Sequence, residues 1–485
     1  MPTLFRRWDF VIVCLLSLIL SGCASRIAEQ PTTSSVTPLS TVAVGTNSIA
    51  QVSSNFMGYS LEWESAETIM GKSSTGSDAI FQKLEENLTA YGSGPIVIRV
   101  GGYSTDVNTK VNDVVPFAEL YQHNGTPFIL GVNLKAQSLP ASKAQAATYY
   151  SVMPTGSLSS IEIGNESNFY LTLDEYTNLL STWVPELRSV TTANEELVLP
   201  SCIGTCPTWN LGNMMSNTAY KPVMASLHYY PLHCCAVTPP NYLITNSANQ
   251  GASIMSSSVA SAHAAGSLFR IGEMNSVGWS GQGGISNTFQ SALWILQNAF
   301  AYAAKQVDGI NIHGNWLPGT NTSCPGSLDC YSPAIITVTQ GFPNQFTLTH
   351  VNPIYYGMLA FQMATGNEAK IYPTTVTSGT STQLIAWDTI DNTATERMVL
   401  INEDALVSGS VKVVPVGKYS HATVCYLTAD SYAATSGVSL CGQTFDGSTD
   451  GTIQGAASYT RISPNSGIYS IPLRAAQAAI VRFYK

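Results

Sequence analysis

The chain has 485 residues, of which 45% are hydrophobic and only 11% charged, and it carries a net charge of −9. That length exceeds what one hydrophobic core organises, so at least two domains are expected, and the wealth of core-forming residues excludes long disordered tracts. Lys and Arg form no cluster able to track a phosphate backbone or a densely sulfated polysaccharide, which sets nucleic acid aside as a partner.

Arg6 and Arg7 precede an apolar run from Phe10 to Leu20, the layout of a secretory signal peptide, too short for a comfortable permanent bilayer span. Leu20-Ser21-Gly22-Cys23 closes that run and resembles the bacterial lipoprotein box. Residues 1–22 are therefore expected to be a signal, and Cys23 a lipidated residue holding an exported chain to a bacterial membrane. Residues 23–40 are rich in Ser, Thr and Pro and read as a solvated tether.

From there to about residue 366, short β-branched runs alternate with helix-compatible stretches. Strands are expected at Phe56 to Glu62, Ile96 to Val100, Phe128 to Val132, Ser160 to Gly164, Leu197 to Pro200, Val223 to Tyr229, Leu268 to Gly272 and Gly309 to His313. Eight such units predict an α/β fold, a (β/α)8 barrel over 41–366 with its site at the carboxyl ends of the strands. Helices are expected over Thr172 to Val190, opened by a capping box of Thr172 and Glu175, and over Ser286 to Lys305. Residues 367–485 change texture to short alternating runs such as Gln383 to Trp387, Arg397 to Asn402 and Ala478 to Phe483, which predict an antiparallel β-sandwich. The stretch Val42 to Val52 is expected to add a strand to it.

Beyond Cys14 and Cys23 the chain carries Cys202, Cys206, Cys234, Cys235, Cys324, Cys330, Cys425 and Cys441, an even set. In an exported protein this favours disulfides, with Cys324–Cys330 and Cys425–Cys441 the simplest local pairs. A zinc site built on Cys202, Cys206, Cys234 and Cys235 competes, but adjacent cysteines ligate one metal awkwardly.

Two carboxyl groups stand where barrel strands should end: Glu166 in Ile163-Gly164-Asn165-Glu166 and Glu273 in Ile271-Gly272-Glu273-Met274-Asn275. A barrel brings those strand ends together, and a pair about 5 Å apart is the geometry of a retaining glycosidase. One glutamate after a strand would be read as a helix cap; two, with Asn165 beside one, favour chemistry. His228 and Tyr230 alternate to one side at the end of the sixth strand, where they either face the carboxylates or pack as interior aromatics. His313 either donates to a sugar or closes the barrel core. Ser60 and Glu62 end the first strand and are candidate ligands of sugar hydroxyls, Glu62 being equally able to serve as a structural acceptor. This chemistry calls for a carbohydrate substrate and for no cofactor or metal.

Val97-Ile98-Arg99-Val100-Gly101-Gly102-Tyr103-Ser104, Ile163-Gly164-Asn165-Glu166, His228-Tyr229-Tyr230, Gly272-Glu273-Met274-Asn275-Ser276, Asn311-Ile312-His313-Gly314 and Asn352-Pro353-Ile354-Tyr355-Tyr356-Gly357 together resemble glycoside hydrolase family 79, the heparanase and β-glucuronidase family. The resemblance runs from about Asn55 to the C-terminus. It implies a retaining hydrolase of double-displacement type, with Glu166 as general acid/base and Glu273 as nucleophile. It also implies that Tyr331, in Tyr331-Ser332-Pro333, holds the carboxylate of a terminal glucuronic acid or its 4-O-methyl ether. The segment Asn315 to Cys330 before it looks like an enlarged loop, expected to narrow the cleft into an exo-acting pocket. A barrel glycosidase for neutral β-glycosides, or a non-catalytic carbohydrate-binding lipoprotein, are the alternatives.

Overall fold

The eight expected strands close into one parallel barrel in the computed structural model: β1 (Met57–Glu62), β2 (Val97–Gly101), β3 (Phe128–Val132), β4 (Leu158–Ile163), β5 (Leu197–Ile203), β6 (Met224–Tyr229), β7 (Leu268–Met274) and β8 (Gly309–His313). Neighbours in the barrel follow chain order, and β8 pairs with β1 to seal it. The structure describes residues 38–191, 197–204, 206, 209, 211–232, 241–245, 250–318, 330–338, 345–380 and 383–485. The expected signal, the lipidation site Cys23 and most of the tether lie outside these residues, as do Cys234, Cys235, Cys324 and most of the loop before Cys330.

Barrel interiors are commonly filled with branched aliphatic side chains. Here Val97, Ile129, Val198 and Met224 supply a small apolar cluster of their own, and much of the rest of the lumen is polar. Arg270 is buried and donates to Asn311 Oδ1 at 2.5 Å and to the Asn55 carbonyl at 3.0 Å. Burial draws its pKa down to about 9, against the pull of the Asp308 carboxylate. Nearer the carboxyl ends lie Ser60, Arg99, Glu162, Ser201, Ser226, His228 and His313, all buried. A lumen built this way must satisfy its own charges, and it dictates where the site can form.

Outside the barrel, the helix Leu173–Arg188 begins at Thr172 with the expected capping box, Thr172 and Glu175 exchanging hydrogen bonds. The helix Phe289–Ala304 is apolar nearly all round and is buried through Ala303. It packs beside the helix Pro353–Thr365, and one hydrophobic cluster runs from the barrel through both helices to Val399, Ile401, Leu427 and Ile480 of the C-terminal sheets. Tyr356 ties the second helix to those sheets by accepting from the Phe445 N–H at 2.6 Å.

Those sheets are an eight-stranded and a four-stranded layer. The larger includes β9 (Glu396–Asn402), β10 (His421–Thr428), β11 (Thr460–Ile462) and β12 (Gln477–Tyr484). Met398, Leu400, Val424 and Val481 face Val42, Val411, Val413 and Ile471 of the smaller sheet, forming the core of a sandwich. The N-terminal stretch contributes two strands, each to a different sheet. Ser40–Val44 lies antiparallel to Thr374–Ser378 and parallel to Gly409–Val414, and Ala50–Gln51 pairs with Lys370–Tyr372. The parallel pairing departs from the all-antiparallel expectation because this strand arrives from the opposite end of the chain. Cys425 and Cys441 form the expected disulfide. Cys202 and Cys206 form another, so those sulfurs are not thiolate ligands for zinc.

Three buried carboxyls in the barrel region are displaced upward, chiefly by burial: Asp78 to about 6, Asp106 to about 7 and Glu85 to about 8. A carboxyl whose folded pKa exceeds its unfolded value stabilises the fold below that unfolded value, and its contribution is lost as pH rises through the folded one. Thermal stability is therefore expected to fall as pH rises from 4 toward 8. Asn124 and Thr126 donate to Glu85 Oε2, while its Oε1 has no partner. A Glu85→Gln variant should lose less of its melting temperature than wild type between pH 5 and pH 8, which calorimetry at both pH values would measure.

Candidate active site

Arg99 is the third residue of the otherwise apolar β2, and its side chain has no solvent exposure. Its Nη1 donates to Glu273 Oε2 at 2.7 Å and to Ser60 Oγ at 3.0 Å. Its Nη2 donates to Glu162 Oε2 at 2.6 Å and to Asn165 Oδ1 at 2.8 Å, while Nε gives Glu162 a second bond at 2.8 Å. One guanidinium thus links β1, β2, β4 and β7. Burial alone would lower its pKa; Glu162 and Glu273 outweigh that and raise it, so the group stays charged. Gly101 makes the approach possible, since a Cβ there would sit 2.9 Å from Glu162 Oε2 and 3.0 Å from the guanidinium.

Glu273 sits directly opposite His228 across β6 and β7, where the register shifts on both sides of β7. Such irregularities re-aim side chains at strand ends. Beyond Arg99, Glu273 receives the Tyr230 hydroxyl on Oε1 at 2.6 Å. His228 Nδ1 lies 3.7 Å and His313 Nδ1 3.8 Å from Oε2. Burial pushes this carboxyl up, but the two imidazoles, Arg99 and the Tyr230 phenol together hold it far below the usual carboxylate range. Glu273 is therefore an anion across the working pH range.

Glu166 differs in each respect. It follows β4 in the left-handed conformation, φ 44° and ψ 43°, which costs a non-glycine residue about 1–3 kcal/mol and is held by the bond from its N–H to the Ser201 carbonyl. Its side chain keeps 20% exposure, against 10% for Glu273. His228 Nδ1 meets Glu166 Oε1 at 2.9 Å, while His228 Nε2 is buried without a partner. An orphaned ring acceptor costs less than an orphaned N–H, so the hydrogen-bond pattern assigns the imidazole proton to Nδ1. Donor atoms of Glu166, His228 and Glu273 all lie within 4.8 Å of one another. That spacing would also suit a cation, but the carboxylate oxygens concerned are already engaged by Arg99, Tyr230 and His228.

The remaining sequence candidates divide. Asn165 is brought in, its Oδ1 held by Arg99 and its N–H 3.4 Å from Asp106 Oδ1. Ser60 bridges Arg99 and His313 Nδ1, the latter at 3.1 Å. Glu62 lies beside the site but accepts the Tyr103 and Ser104 N–H groups at 3.1 and 2.7 Å, a structural role at the first turn of the helix Tyr103–Val107. Tyr331 is buried and edges the His313 ring, centroids 5.8 Å apart. Asn275 fixes the backbone on either side of the intervening loop by donating to the His313 and Tyr331 carbonyls at 2.7 and 2.8 Å. The Ser280 backbone N–H lies against the Tyr331 phenol, whose pKa is raised by burial and by Glu273 and Glu62.

Arg99, Glu162 and Asp106 were missed from the candidates. Arg99 carried a readable signal, because a cation inside a buried strand demands carboxylates nearby. Three large exposed aromatics also follow strand ends: Tyr103, 65% exposed, after β2; Phe169, 69%, after β4; and Trp279, 76%, after β7. Lys135, beyond β3, sits 5.7 Å over the Tyr103 ring and 5.2 Å over that of Tyr170. All four follow carboxyl ends of barrel strands, the end at which the site forms.

A buried anion facing a partly exposed carboxyl that can pass a proton is equipped to cleave an acetal C–O bond. Residues 386–480 match the family model for the glycosyl hydrolase family 79 C-terminal beta domain. Among solved structures, the chain is similar to a 4-O-α-L-rhamnosyl-β-D-glucuronidase from Fusarium oxysporum 12S, at 20% identity and a TM-score of 0.73 over 91% of this chain and 99% of that one. A family 51 arabinofuranosidase from Xanthomonas axonopodis pv. citri matches at 13% identity and a TM-score of 0.64, over 92% and 99%. CelM2, a bifunctional glucanase-xylanase from a metagenome library, matches at 11% identity and a TM-score of 0.58, also over 92% and 99%. No curated protein sequence matches the chain. The C-terminal sheets thus match the β domain of that family, and the likenesses to solved structures show the barrel-and-sandwich fold.

The Arg99 hub sets an expectation for stability. Arg99→Met strands two buried carboxylates and should cost about 3–5 kcal/mol in urea unfolding at pH 7. Part of that loss should return at pH 5, where the orphaned groups take up protons. Equal losses at both pH values would show that Arg99 acts by packing alone.

Proposed function

We propose that this chain is a family 79 glycoside hydrolase, a retaining, exo-acting enzyme that releases terminal β-D-glucuronic acid, or its 4-O-methyl ether, through a glycosyl-enzyme intermediate. The observation that carries the reading is the approach of Glu166 and Glu273 to within 4.8 Å, with one carboxylate held anionic by Arg99 and Tyr230. Retaining pairs stand about 5–5.5 Å apart, whereas inverting pairs need about 6.5–9.5 Å to admit water.

In the first step Glu273 attacks the anomeric carbon while Glu166 gives its proton to the glycosidic oxygen; the C–O bond breaks and an ester to Glu273 forms. His228 donates to Glu166 Oε1 through Nδ1, so the mobile proton resides on Oε2. Esterification removes the Glu273 charge, and Glu166, now a carboxylate, takes a proton from the water that attacks the same carbon. The ester breaks, and the sugar leaves with its configuration kept. Arg99 holds Asn165 by Oδ1, which leaves the amide nitrogen to donate to a sugar hydroxyl. His313, tied to Ser60, is a second donor.

The uronate reading rests on Tyr331. Its phenol oxygen accepts from the Ser280 N–H, which leaves the phenol O–H as a neutral donor to a carboxylate. The Fusarium protein's description as a β-D-glucuronidase supports the same substrate class. On the Glu166 side, Phe169, Tyr103 and Lys135 offer aromatic faces and a cation to the leaving group. The export signal and Cys23 belong to the same reading, of an enzyme tethered outside the cytoplasm and acting on external glycans or glycosides.

Hydrolysis of 4-nitrophenyl β-D-glucuronide should exceed that of the matching β-D-glucoside, and Tyr331→Phe should erode that preference. Activity on the glucoside alone would discard the substrate and keep the carboxylates. Glu273→Gln should lose about 10⁴-fold or more in kcat, and proton NMR of the first product should reveal the β-anomer; an α-anomer would sink retention. Because the Tyr230 phenol helps keep Glu273 ionised, Tyr230→Phe should raise that carboxyl's pKa. Its kcat/KM should accordingly decline most at the acidic end of the pH profile.

A further inference from the structure

Away from the barrel mouth, the large C-terminal sheet aligns three arginines that are far apart in sequence. Register sets Arg397 of β9 opposite Arg482 of β12, Arg482 opposite Thr423 of β10, and Thr423 opposite Arg461 of β11. Directly opposed residues share a face, so the four form one transverse row across four adjacent strands. Arg397 is neutralised by Asp391 at 2.7 Å. Neither Arg461 nor Arg482 has an ion pair among the described residues.

Aromatic rings flank the row. Arg482 stacks on Tyr484, 5.3 Å from its centroid, and Tyr484 in turn lies parallel to His421 at 4.8 Å. Arg397, Thr423 and Arg482 of the row line a groove of about 450 Å³, and Arg461 continues the row on the next strand. Tyr91, at the end of the helix Ala79–Thr89, and Tyr459, 53% exposed, line it together with Arg397, Thr423, Arg482 and Tyr484.

Like charges opposed across a strand pair are destabilising, and an acidic chain of net charge −9 gains nothing structural from exposing two unpaired arginines beside open tyrosine faces. We propose that this groove is a second carbohydrate site, separate from the catalytic lumen, for a segment of uronate-bearing polysaccharide. Tyr459 and Tyr91 supply aromatic rings for pyranose faces, while Tyr484 backs the Arg482 guanidinium. Arg482 and Arg461 meet carboxylates with planar, two-pronged donors. Two guanidiniums suit a chain with at most one carboxylate per sugar rather than a densely sulfated one. The site depends on no residue of the reaction and stands whether or not glucuronides are cleaved.

Titration calorimetry of the whole protein with oligogalacturonate, neutral cellohexaose and inorganic tripolyphosphate tests it. The oligouronate should bind, and a double variant, Arg461→Gln with Arg482→Gln, should weaken that binding about tenfold or more. The variant should melt as wild type does and hydrolyse a small chromogenic glycoside at the wild-type rate. Tyr459→Ala should weaken the oligouronate without affecting tripolyphosphate. Tripolyphosphate bound as tightly as the oligouronate, or oligouronate binding unaffected by the arginine pair but abolished by Tyr331→Phe, would overturn the proposal.

Discussion

The structure depends on one buried cation. Arg99 occupies a lumen that would otherwise hold aliphatic side chains, and it is stable there only because Glu162, Glu273, Ser60 and Asn165 take up its donors. The dependence is mutual: removing the guanidinium leaves two carboxylates in low dielectric, and removing either carboxylate leaves buried guanidinium donors without an acceptor. Ser201 completes the arrangement by donating to Glu162 Oε1 at 2.5 Å, so that both oxygens of the non-reacting carboxylate are engaged. Strand ends that have no sequence proximity are therefore fixed relative to one another by electrostatics as much as by the barrel's backbone ladder.

This network gives two glutamates at like strand-end positions different environments. Glu273 lies inside it, with Arg99 on one oxygen and Tyr230 on the other, and is held ionised. Glu166 lies at its margin, on a left-handed turn, reached by His228 and by solvent. Different environments on two like groups are what acid/base division of labour requires. His228 belongs to both, bonded to one carboxylate and 3.7 Å from the other, so its ring is the shortest path by which the state of one is felt by its neighbour.

Much of this was legible because the relevant periods are short. Each barrel strand lies within three residues of its expected limits, since β-branched runs bounded by Gly and Pro have few other uses. The Thr172 capping box was equally readable. Glu166, Glu273, His228 and Tyr230 followed from strand-end position and period-two alternation. Arg99 and Glu162 escaped because both sit within strands whose neighbours are apolar, where a charge looks like an exception until its partner across the lumen is known. Glu62 was open to two readings, sugar ligand or structural acceptor, and it takes the N–H groups of Tyr103 and Ser104 while lying 3.7 Å from His313 Nε2. The arginine row was invisible for a third reason, since strand register, unlike strand existence, is set by pairings between distant segments.

The distribution of cations follows from the same economy. With 21 Lys and Arg against 30 Asp and Glu, the chain has few positive charges to spend. Arg99 and Arg270 are committed to the barrel interior, where each organises oxygen acceptors that a smaller or more hydrated cation would serve poorly. Lys135 sits at the mouth among aromatic rings, and Arg461 and Arg482 stand on a sheet face without carboxylate partners among the described residues. An overall negative field disfavours dense polyanions at long range, but screening confines it to about 10 Å in 0.1 M salt. Within that distance the local guanidiniums and rings decide what binds, so a chain acidic as a whole remains able to hold acidic sugars at chosen places.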